Sequence, residues 1–519
     1  MLVGLKVYKE KGGYEMRSKI AKKLLATSVL TAMTIGLVGC GEEAGVENQP
    51  TQAPADDKKP TEAPANPSTN DKQEETPSTP DVQEPEEEVS PYTVLKDANG
   101  NVYDLGGMDI IIRDWWSGDP AEPSNAYEEE LDAFRTWMQE TYKFTLAQKA
   151  ISDWGSTPAD YLEYATTGPD ENNYVFMQRP CTDLTNAMRQ GLMKDLSKLD
   201  CIDFSEAKWV AGVHNVYQYN GGIYGMAAEG AEPRLCVYFN KTVLKDAGIE
   251  PDSLYEIQEN MQWNWDKFEE ICAQVTRDLD SDGVNDVWGY VGQDSEIMNG
   301  FVYSNGGEYI GIENGKFVYK LENQETLDGV RKTLELNEKY LRKNEPDGPW
   351  DYFVGAFAQG NVAFFIDQAY RGQGQLQSAQ EANGTSFDWG VLCMPMGPNA
   401  TDYTNVYDNN IAVIPAVYDD QRAWNIAFAY DMWYEPVPGY EDYPGWKAGY
   451  QKHYKDTDSV DLTLARLKVN GRTTAHSLVP NVDMGPQFFW RFGEFNNDPA
   501  ALAEAVREVW KAYIDEANK

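Results

Sequence analysis

Two alternating hydrophobic patterns predict the fold of the main part of the chain. Residues 108–116 form an apolar run that ends in a polar, aromatic loop, which is typical of a buried strand, and residues 144–151 and 173–178 also have strand-like patterns. Between these runs, apolar positions recur with helical spacing at residues 125–141 and 161–166. Strand–helix–strand alternation predicts an α/β body with a largely parallel sheet.

Candidate ligand-binding residues follow the predicted strands. Ligands of open α/β sheets bind beyond the carboxyl ends of the strands. The residues predicted to lie there are Asp114, Trp115 and Trp116 after the first strand, Asp153 and Trp154 after the second, and Arg179 after the third. Two adjacent tryptophans at a strand end cannot both face the core, so Trp115 and Trp116 are both predicted to be ligand-binding residues.

The charge of the chain narrows the class of partner. Asp and Glu number 84 against 44 Lys and Arg, which gives a formal net charge of −40. A protein this acidic lacks the basic surface that nucleic acids require and is not suited to broad adsorption on an anionic membrane. Three His and six Cys argue against a multi-His metalloenzyme and against a disulfide-stapled scaffold.

The N-terminal residues 1–39 are predicted to be a signal peptide. They hold seven basic and two acidic residues, a net charge of +5, and end in a weakly apolar stretch over 24–39. That stretch is shorter than the roughly 20 residues that span a bilayer, and a basic segment before a short apolar one predicts a secretory signal. Its end, Leu37-Val38-Gly39-Cys40, resembles a bacterial lipoprotein signal box, which implies cleavage before Cys40 and diacylation of its sulfur.

Residues 40–91 are predicted to be a disordered tether. The segment is rich in proline and holds fourteen acidic residues against three lysines and no aromatic residue. Such a composition buries too little apolar surface to offset the chain entropy that folding removes. The tether would hold the folded body, residues 92–519, away from the membrane.

Motifs in the folded body resemble those of a known family. They occur in one order along about 400 residues, and each is short: 219–226 (YNGGIYGM), 235–241 (LCVYFNK), 263–268, 301–307 (FVYSNGG), 353–367 (FVGAFAQGNVAFFID), 391–397 (VLCMPMG) and 489–490 (FW). Together they resemble the family 1 extracellular solute-binding proteins, the sugar-binding lipoproteins of ABC importers, of which maltose-binding protein is a member.

The resemblance implies a two-lobed α/β fold of the type II periplasmic-binding-protein kind, with ligand held between the lobes. Strand crossovers are expected near 225–235, 360–367 and 411–416. Lobe one would then comprise about 92–227 plus 361–413, and lobe two about 228–360 plus 414–519.

The same resemblance implies a function. The chain would be a monomeric, lipid-anchored protein on the extracellular face of a bacterial membrane, in a Gram-positive organism, and would need no cofactor. It would capture a carbohydrate, an oligosaccharide, and deliver it to the permease subunits of an ABC importer without chemical change.

A sugar site needs aromatic platforms and planar polar groups, because sugars present both apolar C–H faces and hydroxyls. Further candidates of these types are Glu232, Arg234, Tyr303, Asp367, Tyr370, Trp490 and Arg491. The resemblance implies that Trp490 stacks on the sugar, while Arg491 replaces a tyrosine of the family's aromatic pair. For each tryptophan the alternative is packing in the core.

Residues 278–286 resemble a calcium-binding loop. Asp278, Asp280, Asp282 and Asp286 occupy positions 1, 3, 5 and 9, with Gly283 at the turn position. Position 12 is a glycine and not the bidentate glutamate, which argues against a complete EF-hand. A structural calcium ion and a solvated acidic turn both fit this sequence.

Other functions of the folded body are also compatible with the sequence. A secreted glycoside hydrolase or lyase would need two carboxylates flanking a scissile bond, which residue counts cannot exclude, although the sequence has no nucleophile elbow, phosphate loop or zinc motif. A binding protein for a peptide or a uronate would need Arg179, Arg234 or Arg491 in the cleft. Pairing of Cys181 with Cys201 is also open.

Overall fold

The computed structural model describes residues 92–229, 232–407 and 409–519. The predicted signal peptide, the tether and Cys40 lie outside the described residues. The described residues belong to one compact unit, 87–519. Within them, every helix is too short or too polar to cross a membrane.

The strands and helices alternate along most of the chain. The strands are β1 Met108–Asp114, β2 Phe144–Ala150, β3 Asn173–Gln178, β4 Gln218–Tyr219, β5 Gly222–Ile223, β6 Leu235–Asn240, β7 Trp288–Gly292, β8 Ile310–Glu313, β9 Lys316–Tyr319, β10 Val362–Gln368, β11 Trp389–Leu392, β12 Asn405–Tyr407, β13 Ile411–Val413 and β14 Gly471–Thr473. The α-helices are α1 Ala126–Tyr142, α2 Thr157–Thr167, α3 Thr182–Arg189, α4 Ala211–Val216, α5 Lys241–Asp246, α6 Ser253–Glu259, α7 Trp265–Val275, α8 Asp294–Tyr303, α9 Gln324–Tyr340, α10 Tyr352–Ala358, α11 Gln375–Asn383, α12 Asp420–Trp433, α13 Trp446–Gln451, α14 Ala465–Val469 and α15 Pro499–Ala517.

One four-stranded sheet organises what we call the first lobe. Its strand order is β13-β3-β1-β2, with β1 parallel to both β2 and β3 and β13 antiparallel to β3. Buried side chains of the sheet, such as Ile110 and Val175, share one core with Phe134 of α1 and Ile426 of α12. The parallel strand–helix pattern predicted for residues 108–178 is therefore present.

Local sequence explains why α1 begins and ends where it does. The side chain of Asn125 accepts a hydrogen bond from the backbone N–H of Glu128, which caps the first turn. Phe134, Met138 and Tyr142 recur every four residues on its buried face. The helix ends at Lys143, whose φ of 56° is left-handed.

A second four-stranded sheet organises the second lobe. Its order is β11-β6-β10-β7, in which β6 is antiparallel to both β10 and β11, and β10 is parallel to β7. Every residue of β6 is buried. The sheet is mixed because β6 runs against its two neighbours.

The lobe boundaries differ from those expected from the sequence. Strands β10 and β11 lie within the 361–413 segment expected in lobe one, yet they pair with β6 in the second sheet. Helix α12 was expected in lobe two, yet it packs in the core of the first lobe. The cause is that hydrophobic pattern identifies a strand but not the sheet whose hydrogen bonds it joins.

The chain passes between the two sheets at three places. It leaves the first lobe before β6, returns between β12 and β13, and leaves again between α12 and α13. Residues 360–367, expected to be a crossover, instead form most of the buried strand β10.

The cysteines of the described residues are free thiols. Cys181 packs in the cluster around β3 and α3, whereas Cys201 packs against the cluster that contains α1 and α12. The structure therefore holds no disulfide between these two residues.

Candidate functional site

A cavity of about 300 Å³ opens where the chain passes between the lobes. Both lobes and two of the crossover segments contribute to its wall. The first lobe supplies Trp116, Met177, Tyr430 and Tyr434; the second supplies Gln373, Trp446, Tyr450 and Lys468; the crossovers supply Ala227, Ala228, Glu229, Glu232, Pro233, Asn409 and Asn410. We call this the cleft cavity.

The first-lobe wall begins at the end of β1. Trp116 is 46% exposed and lines the cavity, while Trp115 packs against the core of the first lobe. Their rings meet edge to face, with centroids 4.7 Å apart. The two tryptophans therefore face different surroundings: Trp116 lines the cavity as predicted, whereas Trp115, also predicted to bind ligand, packs against the core.

The second-lobe wall is built on two short helices. Trp446 and Tyr450 of α13 lie with ring centroids 6.1 Å apart, and Tyr450 is anchored in the core of the second lobe. Lys468 of α14 places its Nζ 5.1 Å from the centroid of Trp446 and donates a 2.5 Å hydrogen bond to the carbonyl of Glu229. Burial lowers the pKa of Lys468, against the opposing effect of Glu229 and Glu232.

The acidic crossover residue Glu232 is compensated within the protein. Its carboxylate lies 3.1 Å from the guanidinium of Arg234, which also donates to Gln368 at 2.8 Å. The backbone N–H of Glu232 donates to the side chain of Asn409 at 3.4 Å. Of these predicted residues, Glu232 lines the cavity and Arg234 supports it from outside the lining.

A larger groove of about 1150 Å³ shares Glu229 and Tyr434 with the cleft cavity. It runs along α1, the edge strand β2 and the 117–123 loop, and the second lobe adds Lys452. Arg135 of α1 lines it, with its guanidinium 4.0 Å from the ring centroid of Trp433, and burial lowers the pKa of this arginine. The shared residues make the cavity and the groove parts of one cleft.

Three predicted residues at strand ends support neighbouring loops and do not line the cleft. Asp153 accepts hydrogen bonds from the N–H groups of Gly155 and Ser156, each at 2.9 Å. Arg179 lies 4.5 Å from the ring centroid of Trp154 and donates to its carbonyl. Asp153, Trp154 and Arg179 are absent from the linings of both the cavity and the groove.

Asp114 is also absent from both linings. It is fully buried. Hydrogen bonds that its carboxylate accepts from the loop after β1 and from Gln148 of β2 compensate for this burial. The prediction identified the right loop but not the role of this carboxylate.

The predicted residues of the second lobe lie elsewhere. Tyr303 is buried in the cluster formed by α8, α9 and α15, where its hydroxyl lies 3.4 Å from Nδ1 of His476. Asp367 is buried with Arg371 at 3.2 Å, and burial raises the pKa of its carboxyl. Tyr370 lies 5.0 Å from the Arg371 guanidinium. These side chains support the second lobe and do not line the cavity.

Trp490 and Arg491 do not line the cavity or the groove. Trp490 is 76% exposed beside Gly485, and Arg491 forms an ion pair with Glu494 at 3.0 Å. Gly485 and Glu494 both belong to the C-terminal segment and not to the cleft.

Sequence reasoning did not identify most of the cavity lining. The polar and aromatic residues it missed are Glu229, Gln373, Asn409, Asn410, Tyr430, Tyr434, Trp446, Tyr450 and Lys468. A signal was present, because residues 430–450 hold seven aromatic side chains among prolines and glycines. Aromatic density in a segment with turn residues is typical of a contact surface more than of a helix interior.

The acidic loop between α7 and β7 brings three of its four predicted ligands together. Carboxylate oxygens of Asp278, Asp280 and Asp286 lie within 4.8 Å of one another, and Asp282 is outside this group. Asp278 also accepts backbone hydrogen bonds from Ser281 and Gly283. Calcium binding at this loop stays a prediction.

Comparison with known proteins supports the resemblance found in the motifs. The family described as bacterial extracellular solute-binding protein matches residues 191–430. A search of curated proteins finds no match.

Solved structures of binding proteins share the fold. UgpB of Mycobacterium tuberculosis, solved with glycerophosphocholine, is 18% identical, with a TM-score of 0.53 over 79% of this chain and 99% of that one. The cyclic α-maltosyl-1,6-maltose binding protein of Arthrobacter globiformis is 12% identical, with a TM-score of 0.54 over 79% and 100%. MalX of Streptococcus pneumoniae, solved with maltopentaose, is 16% identical, with a TM-score of 0.52 over 79% and 99%.

These structural similarities establish the fold. The family match also includes the two chain segments that pass between the lobes, the one before β6 and the one between β12 and β13. The predicted α/β fold of the periplasmic-binding-protein kind is confirmed. The resemblance recognised from the motifs is also confirmed, because residues 191–430 match the bacterial extracellular solute-binding protein family.

Proposed function

We propose that this protein captures an oligosaccharide outside the cell and delivers it to the permease of an ABC importer. The observation that carries the proposal is the aromatic composition of the cleft cavity. Trp116 and Tyr434 stand on the first-lobe side, and Trp446 and Tyr450 on the second-lobe side. Aromatic faces on two walls suit the apolar C–H faces of a pyranose.

The polar groups of the same cavity suit sugar hydroxyls. Gln373, Asn409 and Asn410 offer amides that can both donate and accept hydrogen bonds. Glu229 and Glu232 add acceptors, and Lys468 adds a donor. Since hydroxyls both donate and accept, this mixture serves a neutral saccharide.

The groove supports a ligand longer than one sugar ring. The cavity of about 300 Å³ lies at the lower end of the usual ligand-site range, and the adjoining groove adds about 1150 Å³. An oligosaccharide would occupy the cavity with one end and extend past Glu229 and Tyr434 into the groove.

Contacts from both lobes provide a reason for closure. A ligand that touches Trp116 and Trp446 together binds a closed arrangement more tightly than an open one, and this difference shifts the lobe equilibrium. The closed form would be the form that docks on the importer.

Anchoring completes the proposal. Cys40 would carry two acyl chains after removal of residues 1–39, and the acidic tether over 40–91 would separate the body from the membrane. Mass spectrometry of the mature protein from a bacterial membrane fraction tests this part: a diacylated N-terminal Cys40 is expected.

The three arginines that the sequence offers to an anionic ligand do not line the cleft. Arg179 and Arg491 are absent from both linings, and Arg234, also outside them, is paired with Glu232. We further propose that binding occurs without turnover, which chromatography of the recovered saccharide would check.

Titration calorimetry against a panel of malto-, cello-, manno- and xylo-oligosaccharides tests the binding proposal. At least one member is expected to bind, and Trp116→Ala and Trp446→Ala are each expected to weaken it by about tenfold or more, as loss of a central aromatic anchor does.

Trp490→Ala is the matched control, because this tryptophan is the more exposed one and faces neither cavity nor groove. The affinity of the Trp490→Ala variant for the same saccharide should equal that of the unmodified protein. Failure of every panel member to bind, or equal losses in all three variants, would contradict the proposed site.

A further inference from the structure

The carboxylate at the end of β1 is the centre of a hydrogen-bond network beneath the cleft. Asp114 is fully buried, and among the described residues it forms no ion pair with a lysine, arginine or histidine. A buried carboxylate is costly unless hydrogen bonds replace its lost water. Its position therefore requires several donors.

One carboxylate oxygen holds the loop that carries the first-lobe platform. Oδ1 of Asp114 accepts hydrogen bonds from the backbone N–H of Trp116 at 3.3 Å and of Ser117 at 3.2 Å, and from Oγ of Ser117 at 2.8 Å. Three donors on one oxygen fix the backbone direction from which the Trp116 side chain leaves.

The second oxygen holds the groove wall. Oδ2 of Asp114 accepts a 2.6 Å hydrogen bond from Nε2 of Gln148, which lines the groove. The backbone carbonyl of Asp114 also accepts from the N–H groups of Ile151 and Ser152, each at 3.1 Å. One residue thus ties together the loop after β1, the side chain of Gln148 and the end of β2.

We infer that Asp114 is a positioning residue that sets the Trp116 platform and Gln148 in register for the same ligand. It would act through hydrogen-bond acceptance and not through its charge or by touching the ligand. A side chain with no exposed surface offers no oxygen to a bound sugar, whereas Trp116 and Gln148 each line part of the cleft. The consequence for binding rests on the proposed function; the positioning itself does not.

The test compares Asp114→Ala with the isosteric Asp114→Asn. Alanine removes every side-chain acceptor, so the loop donors and Gln148 lose their partner. Asparagine keeps Oδ1 for the loop, and its amide can donate to a Gln148 whose side-chain amide has turned over. Asp109→Ala is the control on the same strand, because its carboxylate is exposed and bonds Thr145.

Two readouts separate the outcomes. The first readout needs no ligand. The edge-to-face Trp115–Trp116 pair is expected to give a couplet in the near-ultraviolet circular-dichroism spectrum, and the part of the spectrum that Trp116→Phe removes is assigned to this pair. We expect Asp114→Ala to abolish it, and Asp114→Asn and Asp109→Ala to retain it. The second is affinity for maltotetraose, expected to fall by about tenfold or more in Asp114→Ala and by less than about threefold in Asp114→Asn.

The contrary outcomes are distinct. A couplet that survives in a folded Asp114→Ala protein overturns the inference. Equal losses of affinity in the alanine and asparagine variants with intact couplets would mean that the charge acts on the ligand, which also overturns it. If maltotetraose fails to bind the unmodified protein, that failure concerns the proposed function, and the couplet still decides the positioning role.

Discussion

The two lobes build their sides of the cleft cavity in different ways. The first lobe uses a strand end, which carries Trp116, and the C-terminal part of the 14-residue helix α12, which carries Tyr430 and ends just before Tyr434. The second lobe uses α13 and α14, helices of six and five residues. Helices this short owe their stability to tertiary packing and not to their own hydrogen bonds. The first wall is therefore fixed by its sheet, and the second depends on what α13 packs against.

The largest expected effect comes from disturbing the start of α13. A Cβ added at Gly445 would lie 2.6 Å from the ring of Tyr127 on α1, so the Gly445→Ala substitution forces the second-lobe wall away from the first lobe. We expect a loss of about 1–3 kcal/mol in the free energy of unfolding, as overpacking produces, together with weaker ligand binding. Chemical denaturation measures the first and calorimetry the second.

Gly449→Ala is the matched control on the same helix. The nearest side-chain atom to its new Cβ is Nε2 of Gln373 at 3.6 Å, an ordinary contact. Here alanine should leave stability unchanged or raise it by about 0.5–1 kcal/mol, because glycine loses more backbone entropy on folding. Equal stability of the two variants would contradict the close approach at Gly445.

The second prediction concerns the buried carboxylate of Asp431, on the helix α12 that carries part of the first-lobe wall. Asp431 of α12 lies 2.8 Å from Lys208, yet burial raises the pKa of its carboxyl from 3.8 to about 6. Because the native pKa is the higher, this group stabilises the fold fully below the unfolded pKa, and the contribution is lost as pH rises through about 6. Relative to Asp431→Asn, the unmodified protein should lose about 1–3 kcal/mol between about pH 4 and pH 7.

Urea unfolding at several pH values measures that difference. Asp420→Asn is the control from the same helix, because Lys194 lowers the pKa of the exposed Asp420 carboxyl. Its small contribution has the opposite sign, being lost as pH falls. A stability difference between the unmodified protein and Asp431→Asn that does not change with pH would contradict the raised pKa.

The third prediction separates the groove from the cavity. Arg135 lines only the groove, where its guanidinium lies over Trp433. Arg135→Met keeps an apolar chain but removes the donors, and we expect about a tenfold loss of affinity for a saccharide that reaches the groove. A disaccharide confined to the cavity should bind as before, and calorimetry with both lengths would show whether the loss depends on length.

The smallest effect is expected at the acidic loop of the second lobe, distant in sequence from both walls. If calcium binds there, millimolar Ca²⁺ raises the melting temperature, and Asp278→Asn removes the rise, because an ion that binds only the native state stabilises it. Asp282→Asn is the control, since this carboxylate lies outside the group of three. An unchanged melting temperature with Ca²⁺ would leave the loop as a solvated turn.

Much of the fold was predictable because the relevant signals are local. The bounds of β3 match the predicted 173–178, and α1, Ala126–Tyr142, coincides with the predicted helical spacing at 125–141. The sheet to which β10 belongs was not predictable, because its partner β6 lies more than a hundred residues earlier.

The residues of the site also differ in whether a local sequence pattern predicts them. Trp116 follows from a local rule, the position of a polar aromatic loop after a parallel strand, and it lines the cavity. Trp446 and Tyr450 depend on where the chain returns to the second lobe, which no local pattern specifies. Asp114 was predicted as a site residue, but its burial is compensated by donors from the loop after β1 and from Gln148 of β2, which the local pattern does not reveal.

The order of the crossovers has a consequence for how the protein is made. The second sheet is assembled from residues 235–392, one uninterrupted stretch, whereas the first sheet needs β13 and its core needs α12, both of which follow that stretch. Since synthesis proceeds from the N-terminus and domains generally fold as units, the later sheet is the first whose strands are all available. The first lobe waits as an unfinished three-stranded sheet until β13 emerges, and the core of the second lobe, which includes Tyr450 of α13, is completed later still.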